Sequence, residues 1–174
     1  AKIDDPNVWK VYEVGEVDGK NFIAMQFIAG KTLRDAAKEL RLEEKIRIIK
    51  QVADALHSAH KEGLIHRDIK PSNIMVVKTE EGLWKPYILD FGLAREQETA
   101  GLTLSGIVVG TPHYMAPEQA RGDSTHLDRR TDVYGLGATL YELLSGRTPY
   151  AGRSSTEVLV KVLQEDPVPL RKID

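Results

Sequence analysis

Candidate catalytic residues are concentrated in one short string, H-R-D-I-K-P-S-N, at positions 66–73. In this string Asp68 stands two residues before Lys70 and five before Asn73. A second acid, Asp90, opens the tripeptide D-F-G, and A-P-E follows at 116–118. Carboxylate and amide oxygens suit a hard cation such as Mg²⁺, whereas a lone Asp or Asn near a turn is most often a capping residue. The probability that these three strings occur in this order by chance is negligible.

The order H-R-D-x-x-x-x-N, D-F-G and A-P-E resembles the eukaryotic-like (Hanks-type) Ser/Thr protein kinase family, in the form found in bacteria. The resemblance covers essentially the whole chain. It implies an α+β, protein-kinase-like fold, with a mostly helical C-lobe and the last strands of the N-lobe and hinge. It also implies transfer of the γ-phosphate of ATP to Ser or Thr hydroxyls of a protein substrate, with ATP and Mg²⁺ as cofactors.

The resemblance assigns a role to each chemical group in the strings. Asp68 would accept or orient the proton of the substrate hydroxyl, and Lys70 would face the transferring phosphate. Asn73 and Asp90 would hold Mg²⁺ between the nucleotide phosphates. His66 has a structural role in the family, beneath the phenylalanine of D-F-G, and we do not expect it to act as a general base.

The same resemblance places the nucleotide base near the first strands. Met25 corresponds to the gatekeeper beside the adenine pocket, and backbone groups of Gln26 and Ile28 would bond the adenine edge. Met75 would pack under the base. Lys70 and Asp90 complete the residues expected to contact the nucleotide.

Regulation is implied by Arg67, which directly precedes the catalytic acid, as in kinases controlled by phosphorylation of the activation loop. An arginine can pair with a phosphate through two hydrogen bonds at once. Ser105 is the first candidate acceptor and Thr103 the second; the alternative, that these hydroxyls only solvate a loop, carries equal weight. Thr111 resembles the substrate-loop threonine, and Glu118 the glutamate that pairs with a late arginine of the family.

Local patterns predict the elements that must position these residues. Turn and strand signals indicate two hairpins, 8–14 with 21–28 and 74–77 with 86–89. Thr32 can cap a short helix, and the spacing of Ser154 and Glu157 predicts a last helix.

Two longer helices are predicted from apolar periodicity. The segment 42–61 carries the apolar stripe Leu42, Ile46, Ile49, Ala53 and Leu56, and Val52 widens this face. Residues 131–145 are apolar on nearly every face, which predicts a helix buried centrally, and Gly146 would end it.

Composition excludes several classes of protein. The 174 residues are 41% hydrophobic and 29% charged with a net charge of −2, which argues against disorder and against nucleic-acid binding. The absence of cysteine excludes disulfides, thiol nucleophiles and cysteine-ligated metals. Neither a membrane span nor a signal peptide is evident. We expect a cytoplasmic domain, with any membrane anchor of the parent protein lying outside these residues.

The 174 residues contain neither a G-x-G-x-x-G-x-V loop nor a V-A-I-K strand. We therefore expect a partial kinase domain, with residues 1–28 forming the end of the N-lobe and hinge and residues 29–174 a C-lobe without its last helices. Two functions follow: an excerpt of an active kinase, or a kinase-like module that binds partners without catalysis. An exposed edge on the first hairpin predicts self-association, as a homodimer or aggregate, or another partner at that edge.

Overall fold

The fold begins with a two-stranded antiparallel sheet, here described from a computed structural model that covers residues 3–91, 112–123 and 127–173. Strand β1 is Val11–Val17 and strand β2 is Lys20–Met25. Asp18 and Gly19 form the turn with φ angles of 51° and 72°. Two positive φ angles give the turn whose twist matches a hairpin, and Asp-Gly is a preferred sequence for it. The predicted hairpin is confirmed, with strand ends that differ from the prediction by up to about three residues.

A second sheet follows the order β3-β4-β5, with antiparallel neighbours. Its strands are β3 Lys31–Thr32, β4 Ile74–Lys78 and β5 Trp84–Ile88. The chain enters this sheet through Gly30, where an added Cβ would lie 2.5 Å from the carbonyl oxygen of Val76. Only glycine allows the backbone to approach β4 so closely.

The part of the chain that the structure describes contains five α-helices: α1 Leu33–Ala36, α2 Leu42–Lys61, α3 Pro117–Ala120, α4 Arg129–Ser145 and α5 Ser155–Gln164. The hydroxyl oxygens of Thr32 and Ser154 accept hydrogen bonds from backbone N–H groups at the starts of α1 and α5, as predicted. Gly146 ends α4 with a φ of 71°. No helix among the described residues is long and apolar enough to cross a membrane.

The buried face of α2 differs from the predicted stripe. Leu42 and Ile46 are 58% and 47% exposed. Ile49, Val52 and Leu56 are buried as expected. The remaining buried positions on α2 are Ile48, Ala55 and Ala59. Periodicity shows that a helix has an apolar face, but α4 and β5, which pack against α2, decide which of two overlapping stripes is covered.

The prediction that α4 is buried on every side is wrong. Val133 is 63% exposed and Leu144 is 37% exposed. The buried positions are small or polar for the most part: Thr131, Asp132, Gly135, Ala138, Thr139 and Leu143. Small side chains let α4 approach residues 66–73, the catalytic string. A Cβ on Gly135 would lie 3.0 Å from the carbonyl oxygen of Ile69. Close approach, rather than apolar area, selected the buried face.

Two clusters of buried apolar side chains support the site. The larger cluster joins α2, β4 and β5, and it includes Ile69 from the catalytic string. The smaller one joins the segment around α3 to α5 and consists of Met115, Ala120, Tyr150, Val158, Leu159 and Val162. The catalytic string and the A-P-E segment are thus each anchored to a packed core.

Candidate active site

The carboxylate of Asp68 collects two donors from its own loop. Lys70 Nζ and Asn73 Nδ2 each lie 2.9 Å from Asp68 Oδ2, and Asn73 Nδ2 also lies 2.9 Å from the backbone oxygen of Asp68. The Asp68 side chain keeps 33% of its surface exposed. Asp68 Oδ1 has no hydrogen-bond partner among the described residues. One carboxylate oxygen is therefore oriented by the loop while the other can face a substrate.

The β4–β5 hairpin places Asn73 opposite the residue before Asp90. Asn73 directly precedes β4, and Asp90 follows β5 by two residues. Ile74 pairs with Ile88, and the N–H of Leu89 donates to the oxygen of Asn73 at 2.9 Å. The antiparallel register thus extends to the residue beside Asp90. Asn73 therefore lies opposite Leu89, the residue before Asp90, although the sequence separates Asn73 from Asp90 by 17 positions.

The ring of His66 connects the catalytic string to the segment before Asp90. The backbone N–H of Asp68 donates to His66 Nδ1 at 3.2 Å, so Nε2, 2.6 Å from the oxygen of Leu89, carries the proton. Burial lowers the pKa of His66 and favours this neutral ring. The ring also meets Phe91 edge-on, with centroids 4.9 Å apart. His66 thus has the structural surroundings that the sequence predicted.

The buried carboxylate of Asp132, on α4, fixes the backbone of the string. It accepts hydrogen bonds from the N–H groups of His66 at 2.9 Å and Arg67 at 2.7 Å. His60 Nε2, from α2, lies 2.7 Å from the same group. On the other side of Arg67, its carbonyl oxygen accepts a hydrogen bond from Gln119 Nε2 at 2.8 Å. Side chains from three helices therefore hold a single turn.

Two residues of this region have left-handed backbone angles that are uncommon outside glycine. Arg67 has a φ of 67° and Asp90 a φ of 54°. Such conformations persist where surrounding contacts over-determine them, and they cluster at functional sites. The N–H of Arg67 is bonded to Asp132 and its carbonyl oxygen to Gln119, so tertiary contacts impose its conformation.

The residues expected around the base lie on β2, on β4 and in the segment between β2 and β3. Met25 ends β2 and is 41% exposed, and Met75 pairs with Thr32 in the larger sheet. The backbone oxygen of Gln26 accepts a hydrogen bond from the indole Nε1 of Trp9 at 2.6 Å. No local pattern in the sequence connects Trp9 with this position.

Sequence reasoning also missed a polar group next to the A-P-E segment. Tyr114 accepts a hydrogen bond from the Arg34 guanidinium of α1 at 3.0 Å, and its hydroxyl donates to the carboxylate of Glu142 on α4. Burial and the bond to Glu142 raise the pKa of Tyr114, so it remains a donor. Tyr114 and Met115 line a cleft beside Asp68. No local sequence signal links Arg34, Tyr114 and Glu142, since they come from different elements.

The regulatory candidates have different outcomes. Glu118 accepts a hydrogen bond from the Thr131 hydroxyl at 2.7 Å. Thr103, Ser105 and Thr111 lie outside the described residues.

The sequence matches the protein kinase domain family over residues 1–172 of its 174. The chain belongs to this family. The kinase chain is 45% identical over its whole length to "Probable serine/threonine-protein kinase CPE1738" of Clostridium perfringens. It is 38% identical, over 97% of its length, to the serine/threonine-protein kinase PknB of Mycobacterium leprae. It spans 25% and 28% of these two relatives, so about a quarter of their length is represented.

Structural comparison leads to the same family. The kinase domain of Mycobacterium tuberculosis PknI, solved as a point mutant, matches with a TM-score of 0.69 and 28% identity. The alignment covers 97% of this kinase chain and 57% of the PknI chain. The predicted α+β, protein-kinase-like fold is therefore confirmed, as is its place among serine/threonine-protein kinases.

Proposed function

We propose that this chain supplies the catalytic loop and the metal-binding residues of an enzyme that transfers the γ-phosphate of ATP to Ser or Thr hydroxyls of a protein. The observation that carries the proposal is the convergence of Lys70 and Asn73 on the Asp68 carboxylate. Leu89, the residue before Asp90, is hydrogen-bonded to Asn73. In this proposal residues 1–28 correspond to the end of the N-lobe and hinge, and residues 29–174 to the C-lobe.

Asp68 acts on the substrate hydroxyl. Its Oδ1 atom accepts the hydroxyl proton and orients the attacking oxygen, while Oδ2 stays bonded to Lys70 and Asn73. Phosphoryl transfer requires mainly positioning and neutralisation of charge. The Lys70 ammonium, with 15% of its side chain exposed, provides a positive charge beside the reacting groups.

The donor set next to Asp68 fits Mg²⁺. Asn73 uses its amide nitrogen to bond Asp68, which leaves Asn73 Oδ1 without a hydrogen-bond partner among the described residues. That oxygen and the Asp90 carboxylate would hold the ion, and no group of three His, Cys, Asp or Glu side chains competes within the described ranges. Mg²⁺ keeps several waters and binds phosphates. When bound, it neutralises charge on the nucleotide phosphates.

The proposal predicts that Asp90→Ala abolishes activity in the full-length protein. Loss of a metal carboxylate removes several kcal/mol of charge stabilisation, so incorporation of labelled phosphate should fall about 10³-fold. Asp54→Ala is the matched control, because Asp54 is an exposed acid on α2 paired only with Lys50 among the described residues. It should leave activity unchanged.

Activity that tolerates Asp90→Ala would contradict the proposal. The 174-residue polypeptide by itself is a second arm, because its sequence has no Gly-rich loop and no V-A-I-K lysine to hold the phosphates. We expect no measurable ATP-dependent phosphorylation from it. Incorporation that disappears in Asp68→Asn would show that this expectation is wrong.

A second candidate function is binding of partners without catalysis. It is favoured by the apolar side chains that the β1–β2 hairpin exposes, among them Tyr12 and Val14 at 69% and 62%. The two candidates differ in the effect of Asp90→Ala, since a binding module does not use the metal carboxylate.

A further inference from the structure

One buried side chain, Gln119 on α3, uses both ends of its amide group. Its Oε1 atom accepts a hydrogen bond from the backbone N–H of Ala116 at 3.1 Å, and its Nε2 atom donates to the carbonyl oxygen of Arg67 at 2.8 Å. Only 4% of Gln119 is exposed. A buried polar group is costly to leave without a partner, so the two bonds hold the amide in one orientation. Gln119 is therefore a fixed link between the A-P-E segment and the catalytic string.

The two partners of Gln119 require different chemistry at its two ends. A backbone N–H only donates and a backbone carbonyl only accepts, so the side chain must offer an acceptor to Ala116 and a donor to Arg67. The amide of glutamine offers both, and so does a protonated carboxyl group. An ionised carboxylate has acceptors only and would place a negative oxygen against the Arg67 carbonyl. The link to Arg67 thus depends on one donated hydrogen.

That hydrogen bond holds one edge of the peptide group that joins Arg67 to Asp68. The carbonyl of Arg67 and the N–H of Asp68 lie in one plane, because a peptide bond does not rotate freely. Gln119 bonds the carbonyl edge, and the N–H edge donates to His66 Nδ1 at 3.2 Å. Arg67 has a φ of 67°, a conformation that persists where surrounding contacts impose it. Removal of the Gln119 donor releases this constraint, and rotation of the peptide group would move the Asp68 side chain.

We propose that Gln119 is a positioning residue, which holds the peptide group between Arg67 and Asp68 and so aligns the Asp68 carboxylate with the substrate hydroxyl. The inference rests on the proposed function, in which Asp68 accepts the hydroxyl proton. Gln119 acts through the backbone and does not touch the reacting atoms. Misplacement of a reacting group by about 1 Å can reduce the rate about 10²-fold. Loss of the donor should therefore lower kcat by up to about 10²-fold and leave KM for ATP unchanged.

The test uses Gln119→Glu in the full-length protein, because glutamate has nearly the same shape as glutamine and its carboxyl group titrates. When protonated, the introduced carboxyl group donates to Arg67 and accepts from Ala116 as the amide does, and when ionised it cannot donate. Burial raises the pKa of a carboxyl group, so kcat is measured from about pH 6 to about pH 8.5. We expect the kcat of the variant, divided by that of the unmodified enzyme at the same pH, to fall as the pH rises.

Other groups around this position also titrate, and division by the unmodified enzyme removes their contribution. They are Arg67, Asp68 and Tyr114, which line the same cleft, and Glu118 on α3. Gln164→Glu is the matched control, because Gln164 is exposed at the end of α5, and its ratio should not depend on pH. Gln119→Met keeps the length of the side chain without the hydrogen bonds or a titratable group, so its kcat should be low at every pH. Thermal unfolding at each pH shows whether each variant is folded.

A kcat ratio of Gln119→Glu that does not change with pH would overturn the inference, and so would full kcat in Gln119→Met. A loss of activity confined to pH values at which the variants are unfolded would also overturn it. If Asp90→Ala abolishes activity while the Gln119 variants keep theirs, only the role of Gln119 is rejected. If the unmodified full-length protein transfers no phosphate, the proposed function fails and the inference fails with it.

Discussion

His66 shows how one buried side chain depends on its protonation state. Its ring accepts a hydrogen bond from the Asp68 N–H and donates to the Leu89 oxygen, an arrangement that needs the neutral form. In a protonated ring Nδ1 would also carry a hydrogen, so it could not accept the hydrogen bond from the Asp68 N–H. Because burial lowers its pKa, the ring stays neutral at pH values where an exposed histidine is already charged.

This shift predicts a pH dependence of stability. The folded pKa of His66 lies below its ordinary value of 6.5, so the unfolded chain binds the proton first as the pH falls. The contribution of neutral His66 to the free energy of unfolding is fully present above pH 6.5. It decreases as the pH falls from 6.5 toward the folded pKa. The decrease from this group is at most about 1.4 kcal/mol per pH unit.

Urea unfolding at about pH 7.5 and about pH 5.5 measures the effect. His66→Phe should reduce the difference in unfolding free energy between the two pH values. His57→Gln changes an exposed histidine on α2 and should leave that difference as it is. Equal pH dependence in all three proteins would contradict the assignment to His66.

Helix α4 positions the string through its small buried face. Asp132 bonds two of the string's N–H groups, and Gly135, one turn later, lies against the carbonyl of Ile69. Gly137, on the same helix, has open space around its Cβ position. Two glycines of one helix thus have different physical roles.

The two glycines therefore predict opposite effects of alanine. Gly137→Ala should stabilise the protein by about 0.5–1 kcal/mol, because alanine loses less conformational entropy in a helix. Gly135→Ala forces a methyl group against the Ile69 carbonyl, and we expect it to be less stable than Gly137→Ala by about 1–3 kcal/mol. Denaturant unfolding of both variants provides the comparison, and equal free energies would refute the close packing of α4 on the string.

The molecule as a whole consists of a packed assembly of helices and the larger sheet, with a hairpin that forms its own two-stranded sheet. Within the described ranges, β1 and β2 pair only with each other. The hairpin also exposes a set of large apolar side chains: Tyr12, Val14, Val17, Phe22, Ile23 and Met25. Unpaired edges together with exposed apolar surface promote pairing with another chain.

We predict that the hairpin mediates association with a second copy of the chain. Val14→Lys places a charge on β1 and should weaken the concentration-dependent association measured by sedimentation. Val133→Lys is the matched control, because Val133 on α4 is 63% exposed and Val14 is 62% exposed. If the two variants associate equally, the hairpin is not the contact.

Local signals predicted most of the elements. The bounds of α2 follow from its apolar periodicity, and the caps of α1 and α5 follow from hydrogen bonds between residues three positions apart. Both signals lie within a short segment of sequence. The start of α4 was predicted two residues late, because the cap formed by Asp128 was not recognised. The faces that α2 and α4 bury depend on neighbours distant in sequence and were mispredicted for that reason.

By itself the sequence determined the chemistry of the site, because Asp68, Lys70 and Asn73 lie within six residues and their spacing is a local property. The tertiary structure alone decided how that chemistry is held. The contact of Asp132 with the string and that of Trp9 with Gln26 join residues 66 and 17 positions apart. Such pairs are selected by the packing of whole elements, which no local pattern of residues encodes.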